Sequence, residues 1–457
     1  MGIAQAFDSP FVRLLILAVA IALIAVLVRE ARKIPVKLFA LMATAFVDMI
    51  GLLMVVPLLP FYVQKLGLGG VEVGGIHAGV GLISGVIVSA YTVAQLLSAP
   101  VWGRFSDHYG RRPALLIALG ASGLAYLIFG FANSLALLFL SRLVQGAGGG
   151  TVGVIQAYVA DATAPSERAR ALGWLSAATN LGVALGPVLG SLALSLGERD
   201  LWPGDEVVKM GQAAPGIMAA LLCFVNVIFA ARFLTESRVP HDPQTMPARQ
   251  SPRQAAWRVL SHSSEASSRL ILIYAIAIGA FQGTNTILAL FLNARFGVTE
   301  KTIGYFFMYI GAISVFTRVL WLGRAVDRFG EARLSRVGIV LLAGGLLLMP
   351  LSGTLPMLAV AVAMIPLGTA FTFPCVTSLL SRVIPQGERG LYMGLQQTYG
   401  GIARIVAPLF YGWAFDSLGV ATPFFFSSAF VFATIFLGFG LNRVAMTAPV
   451  ETKPAST

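Results

Sequence analysis

The chain has 457 residues, of which 57% are hydrophobic and only 11% charged, and its mean hydropathy is +0.82. Soluble domains run to roughly 45–50% apolar and about 25% charged residues, so a water-soluble enzyme of this make-up is excluded. The 49 Gly and 23 Pro sit inside long apolar runs, where membrane helices tolerate them. A formal charge of +12 would suit a nucleic acid or an anionic lipid surface, and only its placement along the chain decides between them.

From the N terminus, the first apolar window covers residues 11–28, and a bilayer crossing needs about 20 residues. Its uninterrupted core, 14–28, is shorter than that, and no small-residue cleavage site follows it. It is read as a retained extra span, with a signal-like or interfacial segment as the rival. Twelve further windows follow: 38–63, 80–100, 114–131, 136–160, 171–196, 214–234, and then, past a polar stretch, 270–293, 303–322, 337–351, 357–380, 391–415 and 423–441. The expected architecture is an all-α membrane protein, a twelve-helix duplicated bundle plus one extra N-terminal hydrophobic helix. Its parts are the extra helix and basic flank over 1–37, a six-helix bundle over 38–235, a Pro- and Ser-rich linker over 236–268, a second six-helix bundle over 269–444 and a tail over 445–457.

Assigning alternate loops to alternate faces puts 23 Lys/Arg and 11 Asp/Glu on one side and 5 Lys/Arg and 7 Asp/Glu on the other. By the positive-inside rule the basic side faces the cytoplasm. The C terminus then lies in the cytoplasm, and the N terminus outside if the extra helix spans. The charge therefore sets topology, and nucleic acid is dropped as a partner.

The two halves repeat one unit. Gly103-Arg-Phe-Ser-Asp107-His-Tyr-Gly110 returns as Gly323-Arg-Ala-Val-Asp327-Arg-Phe-Gly330, an offset of 220, and Glu167-Arg168, Gly173 and Pro187 return as Glu388-Arg389, Gly394 and Pro408, an offset of 221. A weaker match of 59–67 with 289–297 implies a longer outer loop after span 1. Duplicated six-helix units are the architecture of alternating-access carriers.

These residues resemble the major facilitator superfamily, and within it the drug:proton antiporters of the tetracycline type. The loop Gly103 to Arg112 looks like the superfamily's signature loop and Arg142-Leu-Val-Gln145-Gly146 like its helix 4 motif. Gly182-Val-Ala-Leu-Gly186-Pro187-Val-Leu-Gly190 is similar to the helix 5 motif of antiporters, and Asp48-Met-Ile-Gly51 with Pro57-Leu-Leu-Pro60 matches the helix 1 pattern of drug exporters. The second signature loop departs from the pattern, with Glu331-Ala-Arg333 where the first has Arg111-Arg112. The resemblance implies proton-coupled export, a role in proton transfer for Arg142, and a breakable cytoplasmic latch made from Gly103, Asp107, Gly110, Arg111, Arg112 and Asp161, with Gly323 and Asp327 in the second copy.

Asp48 is the only acidic residue of the twelve-span core placed deep in an apolar run. A charge there costs a few kcal/mol or more, so such a residue faces a cavity and works, or is permanently paired. Burial disfavours its charged form, which suits a group that exchanges a proton for a cationic substrate or for a change of conformation. Gly182, Gly186 and Gly190 recur every four residues and leave one stripe of the helix without side chains, so another helix can approach; Pro187 removes a donor and bends it. Arg404 pairs with Asp48, binds an anionic substrate or serves as a structural hydrogen-bonding group, and Arg318 snorkels or anchors.

Candidate substrate-facing groups are Tyr62, Gln95, Gln145, Gln282, Asn285, Tyr309, Gln396 and Arg404, since amides and aromatics within helices suit lipophilic ligands. No His or Cys pair has metal-ligand spacing, and no G-x-x-x-x-G-K-[ST] occurs, so neither a metal, a cofactor nor ATP-driven pumping is expected within this chain. The leading expectation is a monomeric exporter of small lipophilic or cationic compounds, with protons and membrane lipids as its other partners. The alternatives are a carrier of an organic anion or lipid using Arg404 and Arg142, and a membrane scaffold or sensor that transports nothing.

Overall fold

The computed structural model describes residues 36–67, 71–73, 76–149, 152–164, 167–197, 207–237, 259, 261–262, 265–384 and 388–438. The extra N-terminal segment, most of the linker and the tail fall outside them.

Among the described residues the helices follow in chain order as α1 to α12. α1 runs Val36–Val55, tightens through a 3-10 turn at Val56–Leu58 and continues as Leu59–Leu66. The break falls at Pro57, which has no N–H to carry the α-helical ladder on. A short antiparallel hairpin, β1 (Val71–Val73) against β2 (Ile76–Ala78), lies in the loop after α1, with Val71 opposite Ala78. α2 spans Val80–Tyr109 and α3 Arg111–Gly130. Between them Gly110 takes φ +108°, a conformation that glycine adopts without steric cost.

α4 comes in two pieces, Leu135–Gly148 and Val152–Ala162, and begins where the Ser134 hydroxyl accepts from the Leu137 N–H. This is an N-cap satisfying one of the helix's orphan donors. α5 is Arg168–Gly197 and α6 Val207–Phe233. α7 is Ala266–Phe296; α8 is Ile303–Phe316, a π-helical turn at Thr317–Trp321, then Leu322–Phe329. α9 (Glu331–Leu351), α10 (Leu355–Val383), α11 (Arg389–Leu418) and α12 (Thr422–Leu437) complete the set.

Among the described residues nine helices are long and apolar enough to cross a membrane, and α12 and the first part of α8 are shorter apolar helices. α11 is less apolar because Gln396, Gln397 and Arg404 interrupt it. Large apolar side chains such as Leu97, Ile228, Phe430 and Phe436 are exposed, which suits a hydrocarbon solvent. The protein is an integral membrane protein.

The chain divides into two compact units. The first comprises the described parts of Met1–His241, Asn285–Val315 and Tyr411–Val420; the second comprises those of Asp242–Thr284, Phe316–Phe410 and Ala421–Thr457. In the first, α1 packs along α5, α3 along α6 and α2 along α4, around Met54, Tyr126, Phe129 and Tyr158. Small residues also draw later segments into this unit: a side chain at Gly304 would meet the Pro187 carbonyl at 2.6 Å, and one at Gly311 would meet Ala184 at 2.5 Å. In the second unit α9 packs against α10 and α12, around Leu342, Leu346, Leu358 and Phe424.

Candidate functional site

On α1, residues Leu41, Thr44, Ala45, Asp48, Met49 and Leu52 follow the i, i+3, i+4, i+7 rule and form one stripe. That stripe lines a concave space of about 650 Å³, counting its open mouth, inside the first unit. Tyr91 and Gln95 of α2, Leu115, Ser122 and Tyr126 of α3, and Gln145 and Gly149 of α4 make up much of the remaining wall. Asp48 is half-buried there, and among the described residues it has no hydrogen-bond or ion-pair partner.

Around it stand polar groups. Gln145 Nε2 donates to Tyr126 Oη at 2.8 Å, Gln95 Nε2 donates to the Gly149 carbonyl at 2.9 Å, and Asn226 Nδ2 donates to the Thr44 carbonyl at 2.9 Å. Gln145 Oε1, Asn226 Oδ1 and Thr44 Oγ1 are buried with no partner among the described residues. Spare hydrogen-bonding capacity thus lies beside an intramembrane carboxyl group.

Arg142, one helical turn before Gln145, is only 2% exposed. Its Nε donates to Ser141 Oγ at 3.4 Å, its guanidinium lies 5.3 Å from the centre of the Phe129 ring, and its Nη2 has no partner among the described residues. A desolvated cation over an aromatic face gains about 2 kcal/mol, less than the several kcal/mol that burying an unpaired charge costs. Tyr62 does not reach the cavity: it is buried, with its ring 4.8 Å from that of Phe129.

The glycine stripe of α5 faces α1. A Cβ on Gly182 would lie 2.6 Å from the Phe46 carbonyl oxygen and one on Gly186 2.7 Å from Leu53 Cβ, while one on Gly190 would strike the Met54 carbonyl. These contacts straddle Asp48 along α1, so the seam sets where that carboxyl group sits.

The loop between α2 and α3 is a network. Arg111 pairs with Asp107 and, through Nε at 3.1 Å, with Asp161 at the end of α4; it also donates to Ser106 Oγ at 2.7 Å. Arg112 donates to the Ala231 carbonyl. Glu236, past the end of α6, accepts from the backbone N–H groups of Arg111 at 2.8 Å and Arg112 at 3.1 Å, a carboxylate at a helix N-terminus. Gly103 has no neighbour in reach of an added side chain, whereas one at Gly110 would meet the Glu236 carboxylate.

In the second copy Gly323 is likewise open and Asp327 exposed, and the ion pair comes from elsewhere: Glu331 at the start of α9 accepts from Arg382 at 2.8 Å and from Ser378 at 2.7 Å near the end of α10. Positions 111 and 331 differ by 220 and positions 161 and 382 by 221, the offsets of the sequence repeat. The two halves thus carry the same salt bridge with its charges exchanged, and Glu331, a departure from the signature by sequence alone, takes the place of Arg111. Asp161 and Arg111 are both nearly buried, so Arg111→Ala strands a carboxylate. It is expected to destabilise the purified protein by about 3 kcal/mol, read as a lowered melting temperature in detergent, with Arg111→Lys losing less. An unchanged melting temperature would remove the network from the account.

Further contacts were not signalled by any motif. Asp416, at the end of α11, accepts from the N–H groups of Gly81 at 3.0 Å and Leu82 at 2.8 Å at the start of α2. Ser191 accepts from the Gly304 N–H at 3.1 Å, and Lys65 pairs with Glu300 at 2.7 Å. By sequence alone Asp416, Lys65 and Glu300 are loop charges that bear only on topology.

The second unit holds a separate polar cluster. Arg404 Nη2 donates to Tyr274 Oη at 3.3 Å, and Gln396 accepts from Thr377 Oγ1 at 3.3 Å. Arg142 belongs to the first unit and Arg404 to the second. Gln282 falls in the second unit and Asn285 in the first, although they share a face of α7. Tyr309 is 39% exposed, and Arg318 stands on the π-helical turn of α8.

Comparison with known proteins places this geometry. The chain is 26% identical to Multidrug resistance protein 2 of Bacillus subtilis strain 168 over 422 residues, covering 88% of this chain and 94% of that one. It is 25% identical to Tetracycline resistance protein, class B, of Escherichia coli over 328 residues, covering 72% and 77%. The crystal structure of the human organic anion transporter MFSD10 (TETRAN) shares the fold, with a TM-score of 0.63 at 24% identity over 88% of this chain and 99% of that one. The family model of the Major Facilitator Superfamily matches residues 41–408 and 270–456. The chain belongs to the Major Facilitator Superfamily and is a transporter, not an enzyme.

Proposed function

We propose that this protein is a proton-coupled exporter of small lipophilic compounds, working as a monomer in the cytoplasmic membrane with its signature loops on the cytoplasmic side. The observation that carries the reading is Asp48: a carboxyl group within a membrane-spanning helix, lining a largely apolar cavity that also holds Gln95, Gln145 and Tyr126, with no partner among the described residues. Such a group binds and releases a proton as access to it alternates between the two faces, and the cargo leaves in exchange. Gln145, Tyr126 and Gln95 supply hydrogen-bonding stops beside it, and Arg142 biases the field around it. The glycine seam of α5 keeps α1 sealed against leak, and the loops at Arg111 and Glu331 latch the cytoplasmic ends. The relatives named for multidrug and tetracycline resistance support export as the direction and drugs as the cargo class.

The energy suffices. A proton crossing 100 mV yields about 2.3 kcal/mol and one pH unit about 1.4 kcal/mol. Together these sustain a concentration difference of several-hundred-fold, roughly 1.4 kcal/mol per decade, for a neutral compound.

The test is uptake into everted membrane vesicles energised by respiration, with a panel of lipophilic dyes and antibiotics. At least one compound is expected to accumulate, to be released on adding a protonophore, and to dissipate the pH gradient as it enters. A panel with no substrate-dependent proton flux for any compound would favour a membrane scaffold or sensor instead.

A further inference from the structure

We infer that Arg404 and Tyr274 form an anion subsite inside the second unit, and that compounds carried by this protein include aromatic molecules bearing a carboxylate or a similar acidic group. A guanidinium within a membrane helix is costly unless its charge is met. Among the described residues Arg404 meets no carboxylate, and its one hydrogen bond runs to the Tyr274 hydroxyl at 3.3 Å. A guanidinium has five N–H donors in a planar fork, so most of them remain for a ligand. Arg404 is also only partly buried, unlike Arg142 at 2% exposure.

The surroundings fit the same ligand. Two turns earlier on α11, about 12 Å along the axis, Gln396 is fully buried; its Oε1 is taken by Thr377 and its Nε2 has no acceptor among the described residues. Between the two stands Gly400, where an added Cβ would lie 2.8 Å from Tyr274 Cε1. The missing side chain lets the tyrosine lie across α11 with its hydroxyl at Arg404. Phe373 then meets Tyr274 and Phe281 edge-on, with ring centroids 5.5 and 6.4 Å apart. Side-chain N–H donors, no acid and an aromatic wall complement an aromatic acid, whose carboxylate a guanidinium grips through two parallel bonds. A purely structural Arg404–Tyr274 contact would be indifferent to the charge of a ligand.

The inference rests on the transport reading only for what becomes of the bound acid, so binding is measured apart from transport. Pyrenebutyrate and its uncharged analogue pyrenebutanol are titrated into the purified full-length protein in detergent and followed by fluorescence anisotropy. The acid is expected to bind about tenfold tighter than the alcohol, the worth of one charge-assisted hydrogen bond. Arg404→Gln should bring the two to parity while leaving pyrenebutanol binding unchanged, which also reports an intact fold. Arg404→Lys should keep part of the preference, and Tyr274→Phe should weaken the acid alone.

Equal affinities in the native protein, no binding of the acid, or a preference that survives Arg404→Gln each overturn the subsite. Should Arg404→Gln not survive purification, an equal effect of Tyr274→Phe on both probes overturns it as well. A charge preference without proton-driven uptake of any compound keeps the subsite and defeats the exporter reading; uptake without the preference does the reverse.

Discussion

Replacing Asp48 by Asn is expected to reduce proton-driven uptake in everted vesicles to the level of membranes lacking the protein, for every substrate of the native chain. The amide keeps the size and polarity of the side chain and cannot exchange a proton. Because Asp48 has no partner among the described residues, the substitution strands no opposing charge, unlike the breaking of a buried pair, and it removes the cost of holding an unpaired charge in a membrane helix. The melting temperature in detergent is therefore expected to stay level or to rise. Loss of transport with a lowered melting temperature would mean that the carboxyl group holds the helices together, and coupling would have to be sought elsewhere. Asp48→Glu, which retains an exchangeable proton, is expected to keep partial activity.

A second large effect is expected at the α1–α5 seam. The side chain introduced by Gly186→Val would begin 2.7 Å from Leu53 Cβ and 2.8 Å from the Ile50 carbonyl oxygen. A carbonyl in a helix cannot step aside, so α1 must move as a body. Overpacking of this kind costs about 1–3 kcal/mol in a core that adjusts, and a displaced α1 takes Asp48 with it. Gly186→Val should therefore lower both the yield of monodisperse protein and the transport rate severely. Gly173, on the same helix, has nothing within 4 Å of an added Cβ, and Gly173→Val should fold and pump nearly normally. Equal behaviour of the two variants, measured by size-exclusion profile and vesicle uptake, would rule out the seam as a determinant of the Asp48 position.

What the chain reveals by reading and what it withholds follow from the kind of force involved. The all-helical membrane fold and the place of Asp48 within an apolar helix are legible because burial in hydrocarbon acts on every residue of a helix and leaves a pattern in composition. The four-residue glycine spacing marks a bare stripe, but not that α1 is the helix lying in it, since spacing says nothing about a partner. Side-chain direction is equally hidden: Gln95 and Gln145 line the space around Asp48, whereas Tyr62, as plausible by residue type, packs on Phe129. The ion pair of Glu331 with Arg382 shows a further limit. Offsets of 220 and 221 align both residues with Arg111 and Asp161, yet comparing residue types registers only mismatches, because a salt bridge conserves the product of two charges and not either sign. Asp416 looked like an ordinary loop acid for the same reason that its contact matters: it caps a helix begun more than 330 residues earlier.

The central claim is that one carboxyl group in α1 exchanges its proton when cargo binds. It is tested most directly by titrating a transported compound into unbuffered, purified protein and recording the protons released. The native chain should release protons in proportion to the compound bound, and Asp48→Asn should bind the compound while releasing none. Equal release from both proteins would show that the proton comes from another group.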